Sequence, residues 1–185
     1  MRGRDKLMEE VDGQPLLRRQ VMRARATGAP VVLTLPPKPH ERYSAIAELD
    51  VQCVPVPDAA TGMSASLRAG LAALPPETQA VMVLLADMPD ITTNDINTVL
   101  QAVDLNSDKL IWRAVTPDGK AGHPVIFHRR LLPELTALQG DQGGGSVAKS
   151  HVASMLPVPL PDARARTDLD TPEDWVAWRA ARASI

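Results

Sequence analysis

An aspartate that follows an apolar strand is the first feature of this sequence that could do chemistry. Asp87 comes directly after the unbroken apolar run 81–86, and Pro89 follows it closely. A strand that is apolar at every position is typical of a parallel sheet covered on both faces, and such sheets bind ligands beyond the carboxyl ends of their strands. We therefore expect Asp87 to hold a metal ion. The alternative is a structural Asp87 that accepts backbone hydrogen bonds in the turn before a helix near Thr92.

A second acidic cluster precedes the last helical segment. Thr171 is a good N-cap residue and Pro172 suits the first helical position, so local structure explains them. Local structure does not explain Asp168 and Asp170. Carboxylates that approach one another repel unless a cation lies between them. Asp87 with Asp168 or Asp170 is therefore predicted to form a magnesium (Mg2+) site.

A glycine-containing loop between a predicted strand and a predicted helix is the third candidate. Gly62 lets the backbone approach a ligand closely, and Ser64 is placed to cap a helix whose apolar face begins at Leu67. The free amides and positive dipole end of that helix could bind an anion or a nucleotide. An ordinary capped helix without a ligand is the alternative.

Two further segments carry polar groups where a ligand could bind. His123 immediately precedes a predicted strand, where it either faces a phosphate or substrate ring or is hydrogen-bonded in a turn. Asp141 lies in the glycine-rich segment 140–146, which is either a nest for a substrate anion or a mobile loop.

Short apolar runs alternate with helical patterns along the chain, which predicts βα units around a mostly parallel sheet. The expected strands are 31–35, 51–56, 80–86, 110–115, 124–128 and 155–160. The expected helices are 15–26, 39–48, 64–74, 93–103, 131–138 and 172–183. No segment has the composition of a domain linker, so we expect one domain over residues 1–185.

Composition narrows the function classes. The formal net charge of −2 gives no basic stripe for nucleic acid, so a charged small molecule is the expected partner. Cys53 is the only cysteine, which excludes an internal disulfide and favours a reduced, cytoplasmic setting. No apolar run approaches the roughly 18 residues that cross a bilayer, so we expect no membrane partner.

Taken in chain order, the motifs resemble those of the MobA/MocA-like molybdenum cofactor nucleotidyltransferases. The matching stretches cover most of the chain, at 1–7, 13–17, 62–71, 84–89, 122–127, 140–141 and 168–175. The versions at 62–67 and 122–127 are more similar to the cytidylyltransferase branch than to the guanylyltransferase branch. The resemblance implies a three-layer α/β/α sandwich that is nucleotide-diphospho-sugar-transferase-like, and a single MobA-like NTP transferase domain.

The implied reaction transfers CMP from CTP to the terminal phosphate of molybdopterin or the molybdenum cofactor, and pyrophosphate leaves. The acceptor phosphate is itself the nucleophile, so catalysis consists of positioning and charge neutralisation. The resemblance implies that Asp87, with Asp168 or Asp170, holds Mg2+ against the triphosphate. Lys6 would stabilise the triphosphate and the departing pyrophosphate, with Arg2 or Arg4 as a weaker contact.

The remaining candidates would face the base and the acceptor. The resemblance places Gly62, Met63 and Ser64 around the base and ribose of the nucleotide. It places His123 and Asp141 on the pterin side.

The chain departs from the family pattern in two places. Family members begin with a strand and a loop of the type Leu-Ala-Ala-Gly-x-Ser-x-Arg-Met-Gly, and Met1 falls on the methionine of that loop. We expect that about 15 to 20 upstream residues, including the first strand, are missing, which would leave unpaired strand edges. The run 143–145 consists of glycines where cytidylyltransferases continue Gly-Ala-Arg, and the acceptor contact of that arginine is therefore absent.

Three functions remain open at this stage. The first is the CTP-dependent enzyme, and the second is a nucleotidyltransferase that uses GTP or another phosphorylated acceptor. The third is a non-catalytic molybdenum cofactor-binding or maturation protein that serves a molybdenum hydroxylase such as xanthine dehydrogenase. Asp87, Lys6 and the Asp168/Asp170 pair favour an enzyme, whereas the incomplete glycine-rich loop favours the third function.

Overall fold

Helices and strands alternate along residues 5–183, the part of the chain that the computed structural model describes. The α-helices are α1 (Leu16–Arg25), α2 (Arg42–Ala45), α3 (Met63–Ala72), α4 (Thr93–Gln101), α5 (Leu132–Thr136), α6 (Gly144–Ser150) and α7 (Pro172–Ala183). The strands are β1 (Glu10–Val11), β2 (Gln14–Pro15), β3 (Val32–Leu35), β4 (Gln52–Pro55), β5 (Ala80–Val83), β6 (Ile111–Val115), β7 (Ala121–His128) and β8 (Met155–Pro159). Short 3₁₀ helices occupy Lys6–Met8, Ala59–Thr61, Arg129–Leu131, Val152–Ser154 and Arg164–Arg166.

The strands form two main sheets and one small hairpin. β3 and β4 pair in parallel, and the larger sheet has the order β5-β7-β6-β8. β6 and β8 are parallel, whereas β7 is antiparallel to both of its neighbours. Parallel pairing is thus less dominant than expected, because β6 and β7 are joined by the short turn 116–120 and such a turn joins antiparallel strands. β1 and β2 form a hairpin that the sequence analysis missed, with Asp12 and Gly13 both at positive φ in its turn.

The larger sheet is covered by helices on both faces. Trp112 and Ile126 are buried with residues of α4 on one face. Ile111 and Phe127 are buried with residues of α5 and α6 on the other. Consecutive residues of β6 and of β7 therefore point to opposite layers, as the geometry of a strand requires. The three-layer α/β/α sandwich expected from the sequence is confirmed.

Two helices connect the β3–β4 pair to the larger sheet. On one face, Leu17 of α1 packs in a cluster with Leu35 of β3 and Ala86, which follows β5. On the other face, α3 lies so close to β3 that a Cβ atom built on Gly70 would be 3.3 Å from Thr34 Cγ2. The glycine inside this helix is therefore explained by close packing. Within residues 5–183, β3 and β5 each pair with a strand on one side only.

Several predicted segments differ from the structure in extent or in kind. The strand predicted over 80–86 ends at Val83, where the register brings the chain opposite Pro124, which has no N–H to donate. The helix predicted over 39–48 is reduced to Arg42–Ala45. The glycine run 143–145, for which a mobile loop was one of two expectations, opens α6, and a Cβ on Gly144 would be 2.9 Å from the Phe127 ring. Close packing explains that glycine. Over the described residues, no helix is long and apolar enough to span a membrane.

Candidate active site

The segment that carries Lys6 is fixed by an ion pair beside it. Asp5 caps the 3₁₀ helix Lys6–Met8, with its Oδ1 accepting from the Leu7 N–H at 3.1 Å. The same carboxylate accepts two hydrogen bonds from Arg42, at 2.6 and 2.8 Å. Burial raises the pKa of Asp5, but the bonds from Arg42 and Leu7 outweigh burial, so its pKa lies below the ordinary value. Asp5 is therefore a charged anchor for the backbone at Lys6.

The Lys6 ammonium joins two carboxylates that are far apart in sequence. Its Nζ donates to Asp87 Oδ2 at 2.6 Å and to Asp170 Oδ1 at 2.5 Å. Burial lowers the pKa of Lys6, but the bonds to Asp170 and Asp87 outweigh burial and raise it overall. The Asp87 side chain is 20% exposed and that of Asp170 is 63% exposed, so the pair with Asp87 is the less screened by solvent. The ammonium occupies the position between the two carboxylates where the sequence analysis expects a cation.

Asp87 lies four residues beyond β5, in a turn whose carbonyl groups are held by α1. Gln20, only 1% exposed, donates from Nε2 to Met88 O. Arg23 donates to Pro89 O at 2.7 Å and to Ile91 O at 2.6 Å. Helix α1 therefore fixes the turn after Asp87 by side-chain hydrogen bonds to its backbone.

The last helical segment reaches Asp87 from the other direction. The Leu169 N–H donates to Asp87 O at 3.2 Å, which places Asp168 and Asp170 on either side of a buried residue. Thr171 caps the following helix as predicted, since its Oγ accepts from the Asp174 N–H at 3.1 Å. The carboxylates at 87 and 170 are thus brought together by backbone contacts as well as by Lys6.

The oxygen atoms of this cluster are suited to magnesium or manganese. Asp87 Oδ1 is buried and has no hydrogen-bond partner in the described part of the chain. Residues 5–183 contain no group of three or more His, Cys, Asp or Glu side chains arranged to hold a metal. A pair of carboxylates is nevertheless the usual protein contribution to Mg2+, which takes its other ligands from water and substrate phosphates. Asp87 and Asp170 therefore fit the group that the sequence analysis expects.

His123 lies at the start of β7, where the charges of Asp87 and Asp168 act on its ring. Its Nδ1 is buried and has no hydrogen-bond partner in the described residues. Burial is the largest influence on the pKa of His123 and lowers it, and Arg113 acts in the same direction. A backbone hydrogen bond with Val83 and the charges of Asp87 and Asp168 offset only part of this effect. The imidazole is consequently neutral near pH 7.

The loop at Gly62 is packed against the segment that contains Asp141. Gly62 has φ of 124°, and a Cβ there would be 2.3 Å from Gly140 C and O and 2.8 Å from Asp141 N. Only glycine permits this backbone conformation and this approach. Met63 begins α3 and is an exposed hydrophobic residue.

The expectation that Ser64 caps α3 is wrong. The N-cap residue is Gly62, and Ser64 is the second residue of the helix, where it is 1% exposed. Its N–H donates to Gly140 O at 3.1 Å, and its Oγ accepts from Arg68 at 3.3 Å. The Gly140 carbonyl therefore accepts a hydrogen bond from the Ser64 amide, one of the amides that were expected to be free for an anion.

The predicted site residues fall into two groups. One group lies near the end of β5 and the start of β7 and consists of Lys6, Asp87, Asp168, Asp170 and His123. The other group lies around the start of α3 and consists of Gly62, Met63, Ser64 and Asp141. No hydrogen bond or ion pair joins the two groups within residues 5–183. Arg2 and Arg4 lie outside the described residues.

Sequence reasoning missed two arginines beside His123. Arg113 Nε donates to Gly122 O, and Arg166 donates to Ala121 O, each at 3.0 Å. The signal was present for Arg113, because it interrupts the apolar strand Ile111–Val115. Arg166 gave no such signal, since nothing local shows that its segment folds against β7.

The fold and the cluster define the class of the protein. An α/β/α sandwich that gathers two carboxylates and a lysine beyond the end of a strand has the arrangement of enzymes that act on nucleotide phosphates. Residues 1–155 match the family model of the MobA-like NTP transferase domain. The chain belongs to this family of nucleotidyltransferases. None of the curated proteins compared with the chain matches it significantly.

Solved structures share the fold. A homologue of Rv0371c from Mycobacterium sp. strain JC1 superposes with a TM-score of 0.84 and 23% identity, covering 98% of this chain and 90% of that one. Mycobacterium tuberculosis Rv0371c in complex with manganese superposes with a TM-score of 0.79 and 24% identity, covering 93% of this chain and 89% of that one. A CMP:2-keto-3-deoxy-manno-octonic acid synthetase in complex with CTP superposes with a TM-score of 0.70 and 13% identity, covering 97% of this chain and 92% of that one. At these identities the likeness establishes the fold.

Proposed function

We propose that this nucleotidyltransferase transfers CMP from CTP to the terminal phosphate of molybdopterin or the molybdenum cofactor. The observation that carries the proposal is the Lys6 ammonium held between Asp87 and Asp170, at 2.6 and 2.5 Å. Three groups that bind cations and phosphates meet at one point beyond β5. The acceptor and the choice of CTP rest on the resemblance of segments 62–67 and 122–127 to the cytidylyltransferases.

The reaction forms one phosphoanhydride bond and breaks another. An oxygen of the acceptor phosphate attacks the α-phosphorus of CTP, and the bond from that phosphorus to the β-phosphate oxygen breaks, so pyrophosphate leaves with its electron pair. Asp87 and Asp170 would hold Mg2+, with Asp168 beside them. Bound Mg2+ supplies neutralisation of the triphosphate charge. The relative with manganese is consistent with use of a divalent metal.

The protein groups position the substrates. Lys6 would leave the two carboxylates and donate to phosphate oxygens, which stabilises the negative charge of the leaving pyrophosphate. Gly62 and Met63 would line the base and ribose, and Ser64 would act through backbone packing. His123, neutral and half-buried, would lie on the acceptor side with Asp141.

The biological setting is part of the same proposal. The product would pass to a molybdenum hydroxylase such as xanthine dehydrogenase. The single Cys53 suits the reduced cytoplasm.

Nucleotide binding and pyrophosphate release test the proposal directly. We expect CTP to raise the melting temperature only with Mg2+ or Mn2+, and pyrophosphate to be released when molybdopterin is added. Asp87→Ala should lower the rate at least about 100-fold, since each tenfold loss corresponds to about 1.4 kcal/mol of transition-state stabilisation. Asp108→Ala is the matched control, because Asp108 is highly exposed and, among residues 5–183, pairs only with its neighbour Lys109.

Three outcomes would change the assignment. Stabilisation by GTP instead of CTP would show that GTP is the nucleotide donor. Pyrophosphate release with a different phosphorylated acceptor would replace molybdopterin. A chain that binds no nucleotide with metal present would contradict the proposal as a whole.

A further inference from the structure

Two guanidinium groups are anchored on consecutive peptide carbonyls at the start of β7. Arg113 of β6 donates to Gly122 O and Arg166 donates to Ala121 O. Arg113 is half-buried and Arg166 is exposed. Each guanidinium has five N–H donors, and one bond of each is accounted for. Most of their donors are therefore directed elsewhere.

The positive charge of this pair is not balanced by a carboxylate. Within residues 5–183, the side chains of Arg113 and Arg166 make no other hydrogen bond, and neither side chain forms an ion pair. The two side chains bind neighbouring carbonyls, and, besides burial, the charge of Arg166 lowers the pKa of Arg113. Cations placed side by side without an anion repel, so the arrangement favours a negatively charged ligand.

A glycine allows Arg166 to reach the strand. A Cβ built on Gly122 would be 2.0 Å from Ala165 O, so any other residue would push the 3₁₀ helix Arg164–Arg166 away from β7. The close contact brings Arg166 onto the carbonyl of Ala121. The pair of arginines is thus a product of tertiary packing.

The arginine pair lies next to the proposed metal ligands. β5 and β7 are antiparallel neighbours with Val83 opposite Val125. Leu169, three residues after Arg166, donates its N–H to Asp87 O at 3.2 Å, so the segment that carries Arg166 runs directly to Asp87. A ligand on the arginines would therefore be near whatever Asp87 holds.

We infer that Arg113 and Arg166 form a binding site for the phosphate group of a phosphomonoester, beside Asp87 and His123. Paired guanidinium groups match the geometry of phosphate oxygens, and a phosphomonoester carries nearly two negative charges at neutral pH. The assignment of this phosphate to the acceptor, rather than to the nucleotide, rests on the proposed function. It gives the chain an acceptor contact that does not need the arginine missing after Gln142.

Inorganic phosphate is the probe that tests the site. We expect phosphate to bind the full chain without nucleotide, as measured by calorimetric titration. Arg113→Met and Arg166→Met should each weaken that binding at least about tenfold, the loss expected for a charge-assisted contact. Arg113→Lys should recover part of the affinity. Arg130→Met is the matched control, because Arg130 follows the opposite end of β7.

A separate titration with CTP and Mg2+ distinguishes this site from the nucleotide site. Phosphate affinity that is lost in both arginine variants, while CTP affinity changes less than about threefold, supports the inference. Phosphate binding that is lost only in Lys6→Met overturns it, as does a chain that binds no phosphate. Absence of CTP binding would contradict the proposed function. The phosphate titration of the arginine variants would still test the arginine site. Arg166 is exposed, so its variant serves even if Arg113→Met does not fold.

Discussion

The residue with the most unusual environment is Lys6, whose ammonium is shared by two carboxylates. We expect Lys6→Met to lower the stability of the metal-free chain by about 1 kcal/mol, since Asp87 and Asp170 then repel, although exposure of Asp170 limits the effect. A divalent cation would remove the repulsion and would no longer compete with an ammonium. Mn2+ should therefore raise the melting temperature of Lys6→Met more than that of the wild type. Equal metal stabilisation in a thermal denaturation series would show that Lys6 and the metal occupy different places.

Asp5 allows a prediction about pH. Its folded pKa is lowered from the ordinary value of 3.8, so the unfolded state binds its proton more readily. The stabilisation is therefore fully present above the unfolded pKa and is lost as the pH falls through the folded one. Arg42→Met should cost about 1 kcal/mol at pH 7 and progressively less below pH 4, measured by urea unfolding across that range. Arg130→Met serves as the control, and a cost that does not change with pH would contradict the assignment to Asp5.

At the scale of elements, α1 positions the turn that carries Asp87 through Gln20 and Arg23. Burial lowers the pKa of Arg23 to about 10, and the charge of Arg19 contributes, so the guanidinium remains charged at neutral pH while it holds two carbonyls. We expect Arg23→Met to destabilise the chain by about 1–2 kcal/mol and to weaken Mn2+ binding about tenfold, because the turn at Asp87 loosens. Calorimetric Mn2+ titration measures the second effect. Arg25→Met removes the same charge from an exposed position of the same helix and should change neither quantity.

The elements show what sequence periodicity can and cannot predict. Apolar runs located the six longer strands, since burial on both faces leaves a local signature. They did not show that β7 runs antiparallel, because direction depends on the turn 116–120. Serine is a common N-cap residue, yet Ser64 lies inside α3 and its N–H donates to the carbonyl of Gly140, in a distant segment.

Only part of the candidate site could be predicted from the sequence. Asp87 and Asp170 are visible because carboxylates without a local function stand out in the sequence. The hydrogen bonds from Arg23 and Arg166 to distant carbonyls leave no local pattern, because they depend on which surfaces meet in the folded chain. The candidate groups for chemistry could therefore be predicted from the sequence, whereas most of the residues that position them could not.

At the scale of the whole molecule, the two sheets differ in how much supports them. β6 and β7 lie inside a four-stranded sheet with helices on both faces, whereas β3 and β4 pair only with each other over the described residues. A two-stranded unit is marginally stable in water by itself, so β3–β4 depends on its packing against α1 and α3. We expect the amides of β3 and β4 to exchange at least about tenfold faster than those of β6 and β7 in native-state hydrogen exchange.

A change at the contact between α3 and β3 should act on one sheet and not on the other. Gly70→Val would push α3 away from Thr34, since even a Cβ there approaches to 3.3 Å. Exchange in β3 and β4 should then accelerate, while β6 and β7 change little. Ala72→Val places the same side chain at an exposed position of α3 and should leave both sheets unaffected. Equal acceleration in the two sheets would mean that they unfold as one cooperative unit, and the Lys6 cluster would then open only with global unfolding.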